Sequence, residues 1–368
     1  MNVRPQMMEL EQLPVGDVDF ATMDGFADRI FCQRLSWLKF IQSFTNGEII
    51  ISCVDLGGST VGYFSGIMIR KLGVRILGSP FRGWTTPYMG FNLVAGVSRV
   101  HALRALEDFA FGDLKCLHLE IADRHIGPED GARLGFAQRA IRSYLSDLRQ
   151  SENEIFAAMD DSRRRAIRKA QKVGLIVEPA SPDGFAEEYY DQLRHVFAWQ
   201  GLTPTYSVAR VQKLIEHVYP SGDLLLIRAR EPGGKSIATG IYAGFGRLSF
   251  FWGNASLREY HSLRPNEALH WFALRYWKNR GMWHHDWAGG GAFKARFGGT
   301  PFSIPAFRKS RYKFIQYARD TAERAYYVPR ELRKRYEATI REKMLKLWIC
   351  ASWDALDAAF GSVRALTA

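Results

Sequence analysis

Hydrophobic and polar positions divide the chain into short alternating runs and longer stripes of helical period. Residues 23–44 carry a mostly helical pattern. Residues 48–55 and 60–70 read as two strands around the Gly57-Gly58 turn, and 74–77 as a third. Residues 78–90 interleave Pro80, Gly83, Pro87 and Gly90 with Phe81, Trp84 and Tyr88, which marks a loop. A stripe at Val97, Val100, Leu103, Leu106 and Phe109 predicts a helix over 97–111, and 116–121 alternates like a strand. A charged helical zone spans 151–173, followed by a strand at 175–178 and helices at 183–200 and 207–219. Strands are predicted at 224–229, 236–244 and 248–252, a helix at 266–278, a strand at 283–287, and then a Gly-rich loop carrying Lys294.

The order helix, helix, three antiparallel strands, helix, strand is clear in the second half and looser in the first. It predicts an α/β (α+β) protein with mixed, mainly antiparallel sheets. Two related units split near 150–161 fit this order better than one large sheet, and 368 residues suit two domains. From residue 308 the chain reads as helices, at 310–326 and 329–360. No run of about 18 apolar residues predicts a spanning helix. The acidic N-terminal stretch has no apolar core and does not read as a secretory signal. The four cysteines are scattered without CxxC spacing, which argues against zinc and redox chemistry and for a cytoplasmic protein. A net charge of +12 favours anionic partners: nucleic acid, phosphorylated carriers, coenzyme A, or the inner face of a membrane. Charge alone does not choose among them.

Four groups could carry chemistry. Residues 163–173 hold six basic side chains in eleven positions, with Arg164, Arg168 and Lys172 four apart on one helical face. They form either a site for substrate phosphates or a solvated face. Pro265-Asn266-Glu267 looks like a helix start, which either binds an anion or is ordinary capping; Arg258, His261 and Arg264 add charge to that loop. Asp286 lies between Trp283 and Trp287 at the end of a strand. It is either a general base with a raised pKa or the cap of the Gly289–Gly291 turn. Lys294 lies between Phe293 and Phe297 and is either an oxyanion stabiliser or a loop lysine; in an extended segment Arg296 would face the other way. His284 and His285 lack a third ligand at zinc spacing, so no metal is expected. There is no GxSxG elbow, Walker A motif or GxGxxG motif.

Taken in order, Trp252-Gly253-Asn254, the run RPNEALHW from Arg264, Gly281, Asp286, Gly289-Gly290 and the run FKARFG from Phe293 resemble the Fem-type double-GNAT transferases and the related BioF-like/CelD-like acetyltransferase group. The basic run from Arg163 to Gly174 resembles the helix that opens the second GNAT unit of those proteins. The resemblance covers about 151–307 and is topological before that. It implies tandem GNAT-like domains over 1–150 and 151–310, the second with the donor site, and a helical extension over 311–368. It also implies acyl transfer from acyl-CoA to an amine, or less often a hydroxyl, of a cell-envelope, polysaccharide or small-metabolite acceptor. An aminoacyl-tRNA-dependent enzyme and a non-catalytic protein binding an anionic polymer or membrane surface are the alternatives. In this frame Lys294 assists the carbonyl, Asp286 or a water takes the proton, and Trp252, Arg264, Asn266 and Glu267 hold the donor. Arg164 and Arg168, with Trp84 and Tyr88, face the acceptor. The Arg-x-x-Gly-x-Gly/Ala loop of standard GNAT enzymes is missing, and residues 258–263 stand in its place. The coiled-coil arm of some Fem proteins is absent too.

Overall fold

The structure, a computed structural model, describes residues 7–321 except 72, together with residue 325. The helix expected over 329–360, and with it most of the 311–368 extension, lies outside the described residues. The helix expected over 310–326 is present from 313 to 321.

The strands in chain order are β1 (Met8–Leu13), β2 (Glu48–Leu56), β3 (Ser59–Lys71), β4 (Val74–Ser79), β5 (Gly90–Leu93), β6 (His118–Ala122) and β7 (Ala137–Asp147) in the first half. The second half supplies β8 (Ile176–Pro179), β9 (Leu224–Arg230), β10 (Ser236–Phe245), β11 (Leu248–Ser256), β12 (His284–Asp286) and β13 (Thr300–Ser310). All thirteen belong to one sheet, in the order β1-β2-β3-β4-β6-β13-β7-β12-β11-β10-β9-β8, with β5 attached to β3. The two units expected from the sequence are therefore not separate sheets. They meet at the antiparallel pair β13–β7. Outward from that pair the first half adds β6, β4, β3 and β2, and the second half adds β12, β11, β10 and β9. Each half contains one parallel pair, β4–β6 or β11–β12. A crossover helix joins each: Arg99–Asp108 in the first half and Pro265–Asn279 in the second.

Neither joining strand was predicted from the sequence, and both have physical reasons to be missed. β7 reads AQRAIRSYLSD, with polar residues at more than half its positions. β13 contains Pro301 and Pro305, and proline inside a run normally argues against a central strand. Here both prolines precede Ala306, where pairing with β6 begins. Until then β13 has only β7 beside it, so a proline nitrogen turned away from β7 leaves no ladder bond unmade.

Helices cover the sheet because its strands are apolar on the faces they bury. Leu224 to Ile227 is a continuous apolar run and is entirely buried, as expected for a strand covered on both sides. The largest core spans both halves. Trp37, Phe40 and Ile41 of the Leu35–Thr45 helix pack with Val211, Leu214 and Val218 of the Val208–Val218 helix and with Phe250 of β11. The helix expected over 23–44 is split: residues 20–24 are helical, a short turn follows at Phe31–Gln33, and the long helix starts at Leu35.

Candidate active site

β11 and β12 run parallel and pair at Leu248–His284, Ser249–His285 and Phe250–Asp286. The pairing stops there, while β11 continues to Ser256. Its inner side stays on β10, with Ile241 opposite Gly253 and Tyr242 opposite Phe251, so Trp252 is the extra residue of a β-bulge. Beyond Phe250 the outer edge of β11 has no backbone partner among the described residues. A row of peptide groups is left facing a wedge between two parting strands, ready to bond an extended ligand.

The corresponding wedge in the first half is filled by the chain itself. Past the end of the β4–β6 pair, the Met89 N–H donates to the Ala122 carbonyl at 2.9 Å, and the Gly90 N–H donates to Ser79 Oγ at 2.9 Å. Gly90 has φ +81°, and a Cβ there would lie 2.4 Å from Asp123 Oδ2. A glycine is required for the chain to pass so close to the buried acid.

Asp286 ends β12 at the mouth of the open wedge, with 1% of its surface exposed. Its Oδ2 accepts from Tyr88 Oη at 2.7 Å. Its Oδ1 accepts from Ser143 Oγ at 2.5 Å and from the Ala288 N–H at 2.8 Å. Burial pushes the carboxyl above its ordinary pKa, while Ser143, the Ala288 N–H, Tyr88 and nearby Lys294 hold it down. The bond from Ala288, which has φ +53°, is the turn cap considered from the sequence; the two hydroxyl donors go beyond capping. Lys294 sits in a helical turn, Ala292–Ala295, not in an extended segment, so the opposed placement of Arg296 does not arise. Its Nζ donates to the Ala288 carbonyl and lies 4.9 Å from the centre of the Phe251 ring. Burial lowers its pKa to about 8, with Asp286 opposing. Beneath the lysine, burial pushes His285 down to about 3, and its Nδ1 meets Ser249 Oγ at 2.9 Å. His270 is likewise held neutral by burial beside Tyr242. Lys294 thus lies as a cation beside neutral histidines and aromatic rings.

The other candidates fall in different places. Trp252 is half-buried against Tyr189 and Tyr206, and its indole N–H has no partner among the described residues. Asn266 accepts from Asn254 Nδ2 at 2.8 Å at the start of the Pro265–Asn279 helix, and Arg264 caps that helix at φ +64° without a side-chain bond. Glu267 does not face a ligand: it is buried in an ion pair with Arg163. In the basic helix, Asp161–Lys172, Arg163 rather than Arg164 or Arg168 turns inward, with its guanidinium 4.1 Å from the Phe293 ring. Arg164 is held by Asp161 and by the Ala157 and Met159 carbonyls, and Arg168 is exposed near Phe156. Trp84 is buried edge-on against Phe81, and Tyr88 is wholly buried with its hydroxyl on Asp286, so neither presents an open acceptor surface.

The acetyltransferase (GNAT) domain family matches residues 160–297. Among solved structures, a crystal structure of FemX superposes with a TM-score of 0.66 at 14% identity, covering 80% of this chain and 96% of that one. The chain has the Fem-type double-GNAT fold. A second neighbour in shape is a conserved protein of unknown function from Bacteroides thetaiotaomicron VPI-5482, with a TM-score of 0.52 at 11% identity, covering 82% of this chain and 100% of that one. No curated protein gives a significant sequence match.

Two residues of this candidate site were not singled out from the sequence. Ser143 sits on β7, whose pattern carries no signal for it. Together with Arg142, Gly290, Gly291 and Ser303 it lines a cleft of about 790 Å³. Arg163 could have been found: it shares the apolar face of its helix with Ala166, Ile167 and Ala170, at spacings of three, four and seven. The motif glycine Gly298 also has a geometric cause. It sits at φ +79°, and a Cβ there would lie 2.6 Å from the Ala158 carbonyl oxygen. Gly298→Ala is expected to cost about 2 kcal/mol. In urea this appears as a lower midpoint at unchanged m-value; an unmoved midpoint would disprove the constraint.

Proposed function

We propose that this protein transfers an acyl group from acyl-CoA to an amine, directly and without a covalent enzyme intermediate. The observation that supports it best is the unpaired outer edge of β11, which ends beside Lys294 and Asp286. The amide-bearing arm of coenzyme A can pair with such an edge as an added strand. The start of the Pro265–Asn279 helix offers N–H groups without a side-chain cap, a suitable seat for the donor's phosphates. The acceptor enters through the cleft lined by Ser143, Arg142 and Gly290. A cell-envelope, polysaccharide or small-metabolite amine is the acceptor class in keeping with the Fem-type fold.

The amine nitrogen attacks the thioester carbonyl carbon, and the C–S bond breaks as the tetrahedral adduct collapses. Lys294 Nζ donates to the developing oxyanion, worth several kcal/mol in a dry site. The amine's surplus proton passes by way of Ser143, which lines the cleft and whose hydroxyl bonds Asp286, to that carboxylate, and the leaving thiolate is protonated from solvent. Tyr88 holds the carboxylate from the other side. No helix among the described residues is long and apolar enough to cross a membrane. We place the reaction in the cytoplasm.

The test is a thermal-shift series with acetyl-CoA, longer acyl-CoAs, coenzyme A and aminoacyl-tRNA. A ligand at 100 times its Kd stabilises by about 2.7 kcal/mol, which is readily seen. A saturable shift with acyl-CoA supports the proposal. A shift only with aminoacyl-tRNA, falling steeply with salt, would replace the donor. Silence to every donor alongside binding to anionic vesicles or polymers would replace catalysis with binding.

A further inference from the structure

A second cleft, of about 420 Å³, opens at the opposite end of the β11–β12 pair from the wedge. Its walls are the 27–30 segment, the loop before the Arg99–Asp108 helix, and the first residues of β11 and β12, Leu248 and His284. Four arginines line it, Arg29, Arg99, Arg124 and Arg247, against a single carboxylate, Asp28. That carboxylate is already taken by Arg99, which also bonds Asp123 at 2.8 Å. Arg29 is 1% exposed; its Nε bonds Asp24 at 3.1 Å and its Nη1 bonds Asn92 at 3.0 Å, but its Nη2 has no hydrogen-bond partner among the described residues. Burial lowers its pKa to about 10, a sign that its charge is held at a cost.

The remaining two arginines pair with no carboxylate among the described residues. The Arg247 guanidinium lies 3.8 Å from the centre of the Trp283 ring, which fixes it in place without neutralising it. Arg124 makes neither an ion pair nor a hydrogen bond with any described residue. Two uncompensated guanidiniums in one cleft, one of them held in place by an aromatic ring, match a dianion with several acceptor oxygens. The geometry points to a binding site for a phosphate-bearing small molecule in this cleft, apart from the proposed donor and acceptor sites. Because β12 is only three residues long and runs from the cleft at His284 to Asp286, an occupant would sit against the strand that carries the candidate base.

Titration calorimetry of the full chain with inorganic pyrophosphate, at constant ionic strength, tests this. Saturable binding is expected. Arg124→Gln and Arg247→Gln should each raise the Kd at least tenfold, while Arg70→Gln, an exposed arginine on β3, leaves it unchanged. Inorganic phosphate should bind at the same site, and succinate should not. Coenzyme A should not compete. The assignment is overturned if no binding is seen at millimolar pyrophosphate, or if both cleft variants retain the wild-type Kd. It is overturned equally if succinate binds as well as phosphate, or if coenzyme A displaces pyrophosphate, which would place the anion at the donor site. Circular dichroism and melting of each variant separate loss of binding from loss of fold.

Discussion

Lys294→Ala is expected to cut turnover by ~10²-fold or more with the fold intact, because it removes the donor proposed for the developing oxyanion. The pH dependence should identify the group. Burial brings the lysine to about 8, so its cationic form is lost as pH rises through 8 rather than through the 10.5 of an ordinary lysine. The lysine-dependent part of the rate should fall above pH 8, and Lys294→Arg, which stays charged, should move that limb upward. The same shift carries a stability consequence of opposite sign. A lysine whose folded pKa is depressed weighs against folding while the unfolded chain is protonated. That cost is full below pH 8 and disappears above 10.5. The difference, 10.5 − 8, is about 2.5 pH units, or roughly 3 kcal/mol, less about 1 kcal/mol for the bond to Ala288. Lys294→Met should therefore be inactive yet about 2 kcal/mol more stable at pH 7, with the gain fading towards pH 10. An active Met variant would remove the lysine from the mechanism, and a destabilised one would remove the account of its pKa.

The second large effect lies at the start of the basic helix. Arg163 and Glu267 are both at least nine-tenths buried and pair across the Asp161–Lys172 and Pro265–Asn279 helices. Arg163→Ala leaves the Glu267 carboxylate in the core without its partner, which is expected to cost 3–5 kcal/mol by order of magnitude. It also strips the guanidinium from the Phe293 ring, beside Lys294. Urea unfolding should show the loss, and the Arg163→Met/Glu267→Leu pair should recover most of it. A single-variant loss under about 1 kcal/mol would mean the pair is not buried as described.

The elements around the site were legible in the sequence because each follows a single rule. The β9–β11 strands are apolar runs, the Pro265 helix opens on proline, and the Lys294 motif is bounded by glycines. What joins them was not legible. β7 and β13 are written in polar residues and prolines, and only their neighbours make them central. Arg164 and Arg168 satisfied a charge rule that takes no account of which face is buried, and Arg163 broke that rule to face inward. Glu267 looked like a helix-start acid and proved to be one half of an ion pair whose other half lies 104 residues earlier. Tyr88 reached Asp286 across 198 residues, a distance no local pattern reports.

The position of β13 has a consequence for how the chain acquires this shape. β6 and β7 are made early, but their common neighbour is residues 300–310. As the chain leaves the ribosome, the first half must carry two unsatisfied strand edges until most of the second half has been synthesised. The halves look like two copies of one unit, yet neither can complete its sheet alone. Pairings over so long a separation make folding slow and committed late. The last of the described strands to arrive is the one that closes both units.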